Sequence, residues 1–345
     1  LERRIAEVRQ RLAEVPRIKL SNLPSPLHPA KRLGEVLGLD LWLKRDDLND
    51  PGLGGNKVRK LEFLMADALA KGARCVITSG GTQSNHARIT AAVAARLGLE
   101  CHLLVRGPEP QEARGNLLLD ALFDAKLHWR QVEKVMDLGP LAEELAAEMA
   151  EQGRRPYLIP VGGAAALGEL GYIECLTELH EQLAVLGYDP AKVRLVCAVG
   201  SRGTLAGLVA GKRILNSPIR LTGITVSRPV DWLLENIVPL ANEAATLLDY
   251  PADCTNADFE IIDGYIGEAY AIPTKVGWEA IRLTGRTEGI VLDPVYTGKA
   301  MSGLIGSRRE GLIEEGETVV FLHTGGSPAL FAFDPPHWDS LNSED

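Results

Sequence analysis

A lysine set just behind closely spaced glycines is the residue here whose type and setting most directly suggest chemistry. In GLGGNKVRKLEF (52–63), three glycines within four positions clear the backbone of side chains ahead of Asn56 and Lys57. Lys57 then falls at or near a helix start, with Arg59 and Lys60 close by. A helix N-terminus and neighbouring cations both favour an uncharged amine, the form that condenses with a carbonyl compound. The same residues also describe a loop leading into an ordinary basic helix with Lys57 in solvent. The phosphate-loop spacing GxxxxGK(S/T) is not met.

Two further glycine-rich segments follow apolar runs. TSGGTQSNHAR (78–88) reads as a strand end, a tight turn and a helix start, which exposes several backbone N–H groups to a carboxylate or phosphate. Thr82, Gln83, Ser84, Asn85 and His86 add hydroxyl, amide and imidazole groups at its mouth. Plain helix capping by Ser84, with His86 exposed in the first turn, is the alternative. VGSRGTLAGL (199–208) repeats the arrangement with Gly200, Ser201, Arg202, Gly203 and Thr204, and it lacks the GxGxxG of a dinucleotide fold. One cradle can hold a phosphate and the other a carboxylate. With the lysine, they fit pyridoxal phosphate (PLP) and an amino acid.

Elements must position these loops. Strands are expected at Leu41–Lys44, Cys75–Ser79, Cys101–Val105, Leu127–Arg130, Tyr157–Ile159, Val193–Val199, Leu221–Val226 and Val319–Leu322. Helix-length segments lie between them, among them Val58–Ala70, Asn85–Leu97, Leu141–Glu151 and Thr204–Leu215. Such alternation implies an α/β protein with mostly parallel sheets covered by helices on both faces. The 345 residues suffice for two domains. DPGLGG (50–55) and VGGAAALGELG (161–171) are the candidate crossovers, dividing a smaller unit at 51–164 from a larger one at 1–50 and 165–345.

Composition narrows the class. Hydrophobic residues at 46% and charged ones at 24% describe a soluble globular chain. No apolar run reaches the ~18 residues of a membrane span. LERRIAEVRQRLAEVP (1–16) reads as a charged amphipathic helix rather than a secretory or transit leader, so a cytoplasmic location is expected. Cys75, Cys101, Cys175, Cys197 and Cys254 form no CxxC pair, which points to reduced buried thiols and no metal site. A net charge of −9 argues against a nucleic-acid partner.

LKRDDL (43–48), GGNKVRKLE (54–62), QSNHAR (83–88), GSRGTLAG (200–207), LDPVYTGKAM (292–301) and FLHTGG (321–326) together resemble the D-cysteine desulfhydrase and 1-aminocyclopropane-1-carboxylate (ACC) deaminase family. These are PLP enzymes of the tryptophan-synthase-β-like fold (fold type II), and the motifs span about Pro24 to Pro335 in the family's order. The resemblance implies that Lys57 carries PLP as a Schiff base, Asn85 bonds the cofactor's 3′-oxygen and Gly200–Thr204 wrap its phosphate. It places Thr324 against the pyridine nitrogen, and Ser84, His86, Tyr270 and Tyr296 beside the substrate. Lys57, Ser84, Tyr270 and Tyr296 become the candidate catalytic set, and a homodimer is expected.

Two positions bear on the substrate. ACC deaminases carry Glu where this chain has Thr297, and a hydroxyl cannot hold a pyridinium proton as a carboxylate does. Desulfhydrases carry glycine where this chain has Arg202, which suits the phosphate, a structural role or an anionic substrate group such as a sulfonate. The implied activity is α,β-elimination on a small amino acid, D-cysteine first, with L-cysteate or ACC as alternatives. A non-catalytic amino-acid- or anion-binding protein is the reading from another class.

Overall fold

The structure, a computed structural model, describes residues 1–334. Ten strands form among them: β1 (Leu27–Pro29), β2 (Asp40–Arg45), β3 (Cys75–Gly80), β4 (Glu100–Arg106), β5 (Lys126–Arg130), β6 (Pro156–Leu158), β7 (Val193–Val199), β8 (Arg220–Thr225), β9 (Glu260–Ile262) and β10 (Thr318–His323). They build one sheet in the order β1-β2-β10-β7-β8-β9 and a second in the order β5-β4-β3-β6. All neighbours run parallel except β1 and β2. The α/β reading with two helix-flanked, mostly parallel sheets therefore holds.

The eight expected strands are present, with ends shifted by a residue or so. Two three-residue strands at the edges of the larger sheet, β1 and β9, carry too short a pattern to be read from sequence. Pro29 is tolerated in β1 because an edge strand has one side unpaired.

Alternation places successive side chains on opposite cores. Leu195, Cys197, Val320 and Leu322 face one layer of helices, through residues such as Leu176 and Val209. Val196, Ala198, Val319 and Phe321 face the other, against Met301 and Leu304. In the smaller sheet Val76 and Leu103 pack on Leu61 and Ile89, while Ile77 and Leu104 meet Leu138 and Met149. Burial on both faces is why these strands read as unbroken apolar runs. All five cysteines are buried and unbonded.

A buried polar cluster ties the helix Lys57–Ala70 to the larger sheet. Arg59, fully buried, donates to Asp46 Oδ1 and Oδ2 at 2.9 Å each, to Glu178 Oε1 at 3.0 Å and to Ser25 Oγ at 2.9 Å. Lys44 donates to Glu178 Oε2 at 2.9 Å, and Tyr172 to Asp46 Oδ2 at 2.8 Å. Two cations thus meet two carboxylates, and the helix that begins at Lys57 is held to β2 and to the helix Ala166–Leu186. Burial alone would raise the Asp46 and Glu178 carboxyls, but Arg59 and Lys44 together outweigh it and both titrate below their ordinary range.

Glu178→Ala leaves Arg59 and Lys44 short of an acid, and we expect it to cost about 3–5 kcal/mol in urea unfolding. The depressed carboxyls stabilise the fold above their unfolded pKa of about 4, and that contribution is lost as pH falls through their lower folded values. The variant should accordingly lose less stability on acidification than the wild type; equal slopes would contradict this assignment.

Candidate active site

The C-terminal ends of parallel strands from both sheets converge on one cavity of about 580 Å³. Gly80 ends β3, Arg106 ends β4 and Val199 ends β7, while Ser227 and Arg228 follow β8 and Thr324 follows β10. Ligands of open parallel sheets sit at this end of the strands.

Lys57 opens its helix on the cavity wall, half-buried. The preceding loop reaches it through left-handed turns: Gly54 has φ 68°, and a Cβ there would overlap the carbonyls of Asp47 and Asn49. Arg88 donates to the carbonyl oxygens of Gly52 and Gly54, and Asn56 N–H donates to Thr324 O at 3.0 Å. Among the described residues, Lys57 Nζ has no hydrogen-bond or ion-pair partner. Burial and then the charge of Lys60 push the Lys57 amine well below its ordinary pKa, against a smaller pull from Glu169. Lys60, one turn on, is fully buried and committed to Glu169 at 3.0 Å.

The second loop combines capping with lining. Ser84 Oγ accepts from Ala87 N–H at 3.2 Å as N-cap of the helix Asn85–Leu97, yet Ser84, Asn85 and His86 all line the cavity. Asn85 Oδ1 accepts from Asn116 Nδ2 at 2.9 Å, leaving its own N–H groups to donate. His86 is 2% exposed rather than solvent-facing. Thr78 Oγ1 lies 2.8 Å from Ile159 O, its proton acceptor, so it accepts from His86 Nε2 at 2.8 Å. That leaves His86 Nδ1 a bare, unpartnered acceptor. Burial, then Lys57 and Lys60, keep this imidazole neutral. Gln83 turns away, donating to Arg114 O and accepting from Asn116 N–H, and Thr82 is also off the wall.

At the third loop Arg202 takes φ 67° as N-cap of the helix Gly203–Leu215. Gly203 and Ala206 N–H bond to Ser201 O and Arg202 O, but the N–H groups of Arg202, Thr204 and Leu205 have no partner among the described residues. Gly200, Ser201, Arg202 and Thr204 line the cavity; Gly203 faces the Lys60–Glu169 pair instead, where a Cβ would collide with it. Gly162 admits Ser201 from the opposite wall, where any side chain would overlap the Ser201 hydroxyl. Tyr270 and Tyr296 close the far side with hydroxyls 2.6 Å apart, and burial raises both phenols, so they stay protonated at neutral pH.

Thr297 is fully buried away from the wall and donates to Asp293 Oδ1 at 2.7 Å. Sequence reasoning passed over Asn56, whose Nδ2 donates to Thr204 Oγ1 at 3.0 Å, and Arg228 and Trp232 on the wall. For Arg228, the position just after β8 was the available signal; Asn56 directly precedes a helix and Trp232 lies within one.

These residues fit pyridoxal phosphate. The cofactor needs an uncharged amine, a phosphate cradle, a donor for its phenolic oxygen and a partner for its ring nitrogen. Lys57 offers the first, the orphan N–H groups of Arg202, Thr204 and Leu205 the second, and the free Asn85 amide the third. The Thr324 hydroxyl lines the cavity with no partner among the described residues and suits the fourth.

Comparison with known proteins agrees. Residues 18–325 match the family model described as pyridoxal-phosphate dependent enzyme. D-cysteine desulfhydrases of Salmonella choleraesuis (strain SC-B67) and Salmonella enteritidis PT4 (strain P125109) are each 42% identical over 330 residues, covering 94% of this chain and 98% of theirs. The crystal structure of an ACC deaminase homologue superposes with a TM-score of 0.87 at 40% identity, covering 97% of this chain and 98% of the other. Escherichia coli diaminopropionate ammonia lyase shares the fold at a TM-score of 0.66 and 16% identity, covering 94% of this chain and 88% of its own. The chain belongs to the pyridoxal-phosphate dependent enzymes.

Proposed function

We propose that this enzyme eliminates sulfide from D-cysteine, releasing pyruvate and ammonia. The observation that carries the reading is the Lys57 amine, pushed by burial and the Lys60 charge toward its uncharged form and without a partner among the described residues, at the meeting point of two N–H cradles. The 42% identical desulfhydrases favour D-cysteine, and Thr297, spent on Asp293, leaves no acid at the position where ACC deaminases carry one.

Bound pyridoxal phosphate supplies the electron sink that stabilises negative charge on the substrate's Cα. The protein's part is orientation and proton movement. N–H groups of Asn85 and His86, together with the Ser84 hydroxyl, orient the substrate carboxylate. Lys57 Nζ, uncharged, takes the Cα proton. The Tyr270–Tyr296 pair donates hydrogen bonds across the cavity, and neutral His86 offers Nδ1 as an acceptor. The three-carbon enamine left after sulfide departs hydrolyses to pyruvate and ammonia.

One motif sets the tyrosine pair. Asp293 Oδ2 accepts from Val295 and Tyr296 N–H at 2.8 Å each. Lys299, fully buried, donates to Ile266 O at 2.5 Å and Ala269 O at 3.3 Å, which holds the loop that ends in Tyr270. Burial lowers this amine to about 8, against a weaker pull from Asp293. DPVYTGK thus positions both phenols.

A two-domain division at 51–164, with 1–50 and 165–345 forming the larger unit, is supported by strands β3–β6 falling in one and the remainder in the other; residues 335–345 lie outside the described part. A homodimer is supported by Leu118 and Leu122, 55% and 72% exposed, and by Phe331, 75% exposed, on neighbouring elements. Five unbonded thiols support a reducing, cytoplasmic setting.

Purified, PLP-loaded protein should release pyruvate and sulfide from D-cysteine, assayed beside L-cysteine, L-cysteate and ACC; 2-oxobutyrate from ACC, or no ketoacid at all, would contradict the proposal. Lys299→Met should keep the visible absorbance of the lysine-bound cofactor while lowering kcat/KM about tenfold or more. Unchanged kinetics would remove Lys299 from the positioning role.

A further inference from the structure

We propose that the side chains of Arg202, Arg228 and Trp232 form an anion subsite on the cavity wall, beside the backbone N–H groups of the phosphate cradle, that takes an anionic side-chain group of the amino-acid substrate. The inference rests on the elimination reading above and names its substrate class. Both guanidiniums lie over the one indole, the Arg202 carbon 5.3 Å and the Arg228 carbon 5.0 Å from the Trp232 ring centroid. All three residues line the cavity. Neither guanidinium has a hydrogen bond or ion pair among the described residues, and Arg202 Nε is buried without a partner.

Two like charges stacked on one ring repel, and the indole face offsets only part of that. The acids that act on them, Glu169 and Glu243 on Arg202 and Asp137 on Arg228, make no ion pair with either, and Glu169 is already committed to Lys60. Arg202 also holds a left-handed φ of 67°, a conformation that glycine would adopt without strain. A strained arginine with unused donors at a cavity is the pattern of a residue kept for a ligand.

The charge count says which ligand. The N–H groups of Arg202, Thr204 and Leu205 provide for a phosphate and those at 85–86 for a carboxylate, so the guanidinium pair is left for a third anion. Arg228 follows β8 and lines the same cavity as Tyr270. A β-substituent that already carries a negative charge before it leaves supplies that charge: a sulfonate or a sulfinate. Planar guanidinium forks suit such oxyanions. For a sulfonate the elimination balances without an oxidant or reductant. The Cα–H and Cβ–S bonds break, the Cβ–S pair leaves on sulfite, and one water converts the remaining carbons to pyruvate and ammonium.

The test uses PLP-loaded wild type, Arg228→Gln and Arg202→Gly with three D-amino acids that all yield pyruvate: cysteine, cysteate and β-chloroalanine, whose β-group is neutral. Glycine relieves the backbone strain at 202, so that variant is not at risk of misfolding. In each variant the ratio of kcat/KM for cysteate to that for β-chloroalanine should fall at least about tenfold. Inhibition by methanesulfonate should weaken in parallel. A ratio unchanged in both variants overturns the subsite. So does a uniform loss on all three substrates accompanied by loss of cofactor on gel filtration, which would make Arg202 a phosphate ligand. Wild type that turns over β-chloroalanine but not cysteate overturns the subsite and leaves the elimination reading standing. Wild type that turns over none of the three overturns that reading, and the subsite with it.

Discussion

Everything at the site depends on where one helix begins. The charge cluster of Arg59, Lys44, Asp46 and Glu178 locks the first turn of the helix Lys57–Ala70 to the larger sheet. Removing one member strands an opposite charge in the interior, so the cluster tolerates few alternative geometries. With Arg59 pinned, Lys57 can only emerge two residues earlier, at the helix start and facing the cavity. The glycines before it complete the constraint, since Gly54 approaches the backbone of Asp47 and Asn49 too closely for any side chain.

The same turn separates two lysines by function. Lys60 is paired with Glu169 and buried beneath Gly203, so the potential of its charge acts on Lys57, only partly offset by that acid, without the amine entering the cavity. Lys57 receives that potential and the cost of burial with no acid of its own, and its amine loses its proton readily. His86 is kept neutral first by burial and then by the two lysines. A small number of buried charges thus sets the protonation of the groups expected to touch the reacting atoms.

Much of this was legible in the sequence. The apolar runs gave both sheets because strands buried on two faces leave an unbroken pattern, and glycine clusters after strands marked the three loops. The short edge strands β1 and β9 escaped because three residues carry no period. Within the site, loop neighbours could not be sorted by direction: Ser84, Asn85 and His86 reach the cavity, whereas Gln83 turns back to Arg114 and Asn116. Gly203 likewise faces the Lys60–Glu169 pair while its neighbours line the wall. Thr297 is comparable: sequence marks it as differing from the glutamate of ACC deaminases, but only the fold shows its hydroxyl bound to Asp293. Arg228 and Trp232 lie on a stretch with no glycine signal, and tertiary folding alone brings them against Arg202.

The central claim is that Lys57, and no other buried lysine, supplies the uncharged amine that holds the cofactor. Borohydride reduction of the PLP-loaded protein fixes the cofactor to whichever amine carries it, and peptide mass mapping then reads the position. The account predicts the added mass on the peptide containing Lys57, at Lys57 itself. Mass on Lys60 or Lys299, both fully buried and both with lowered pKa, would contradict it, as would no covalent label at all.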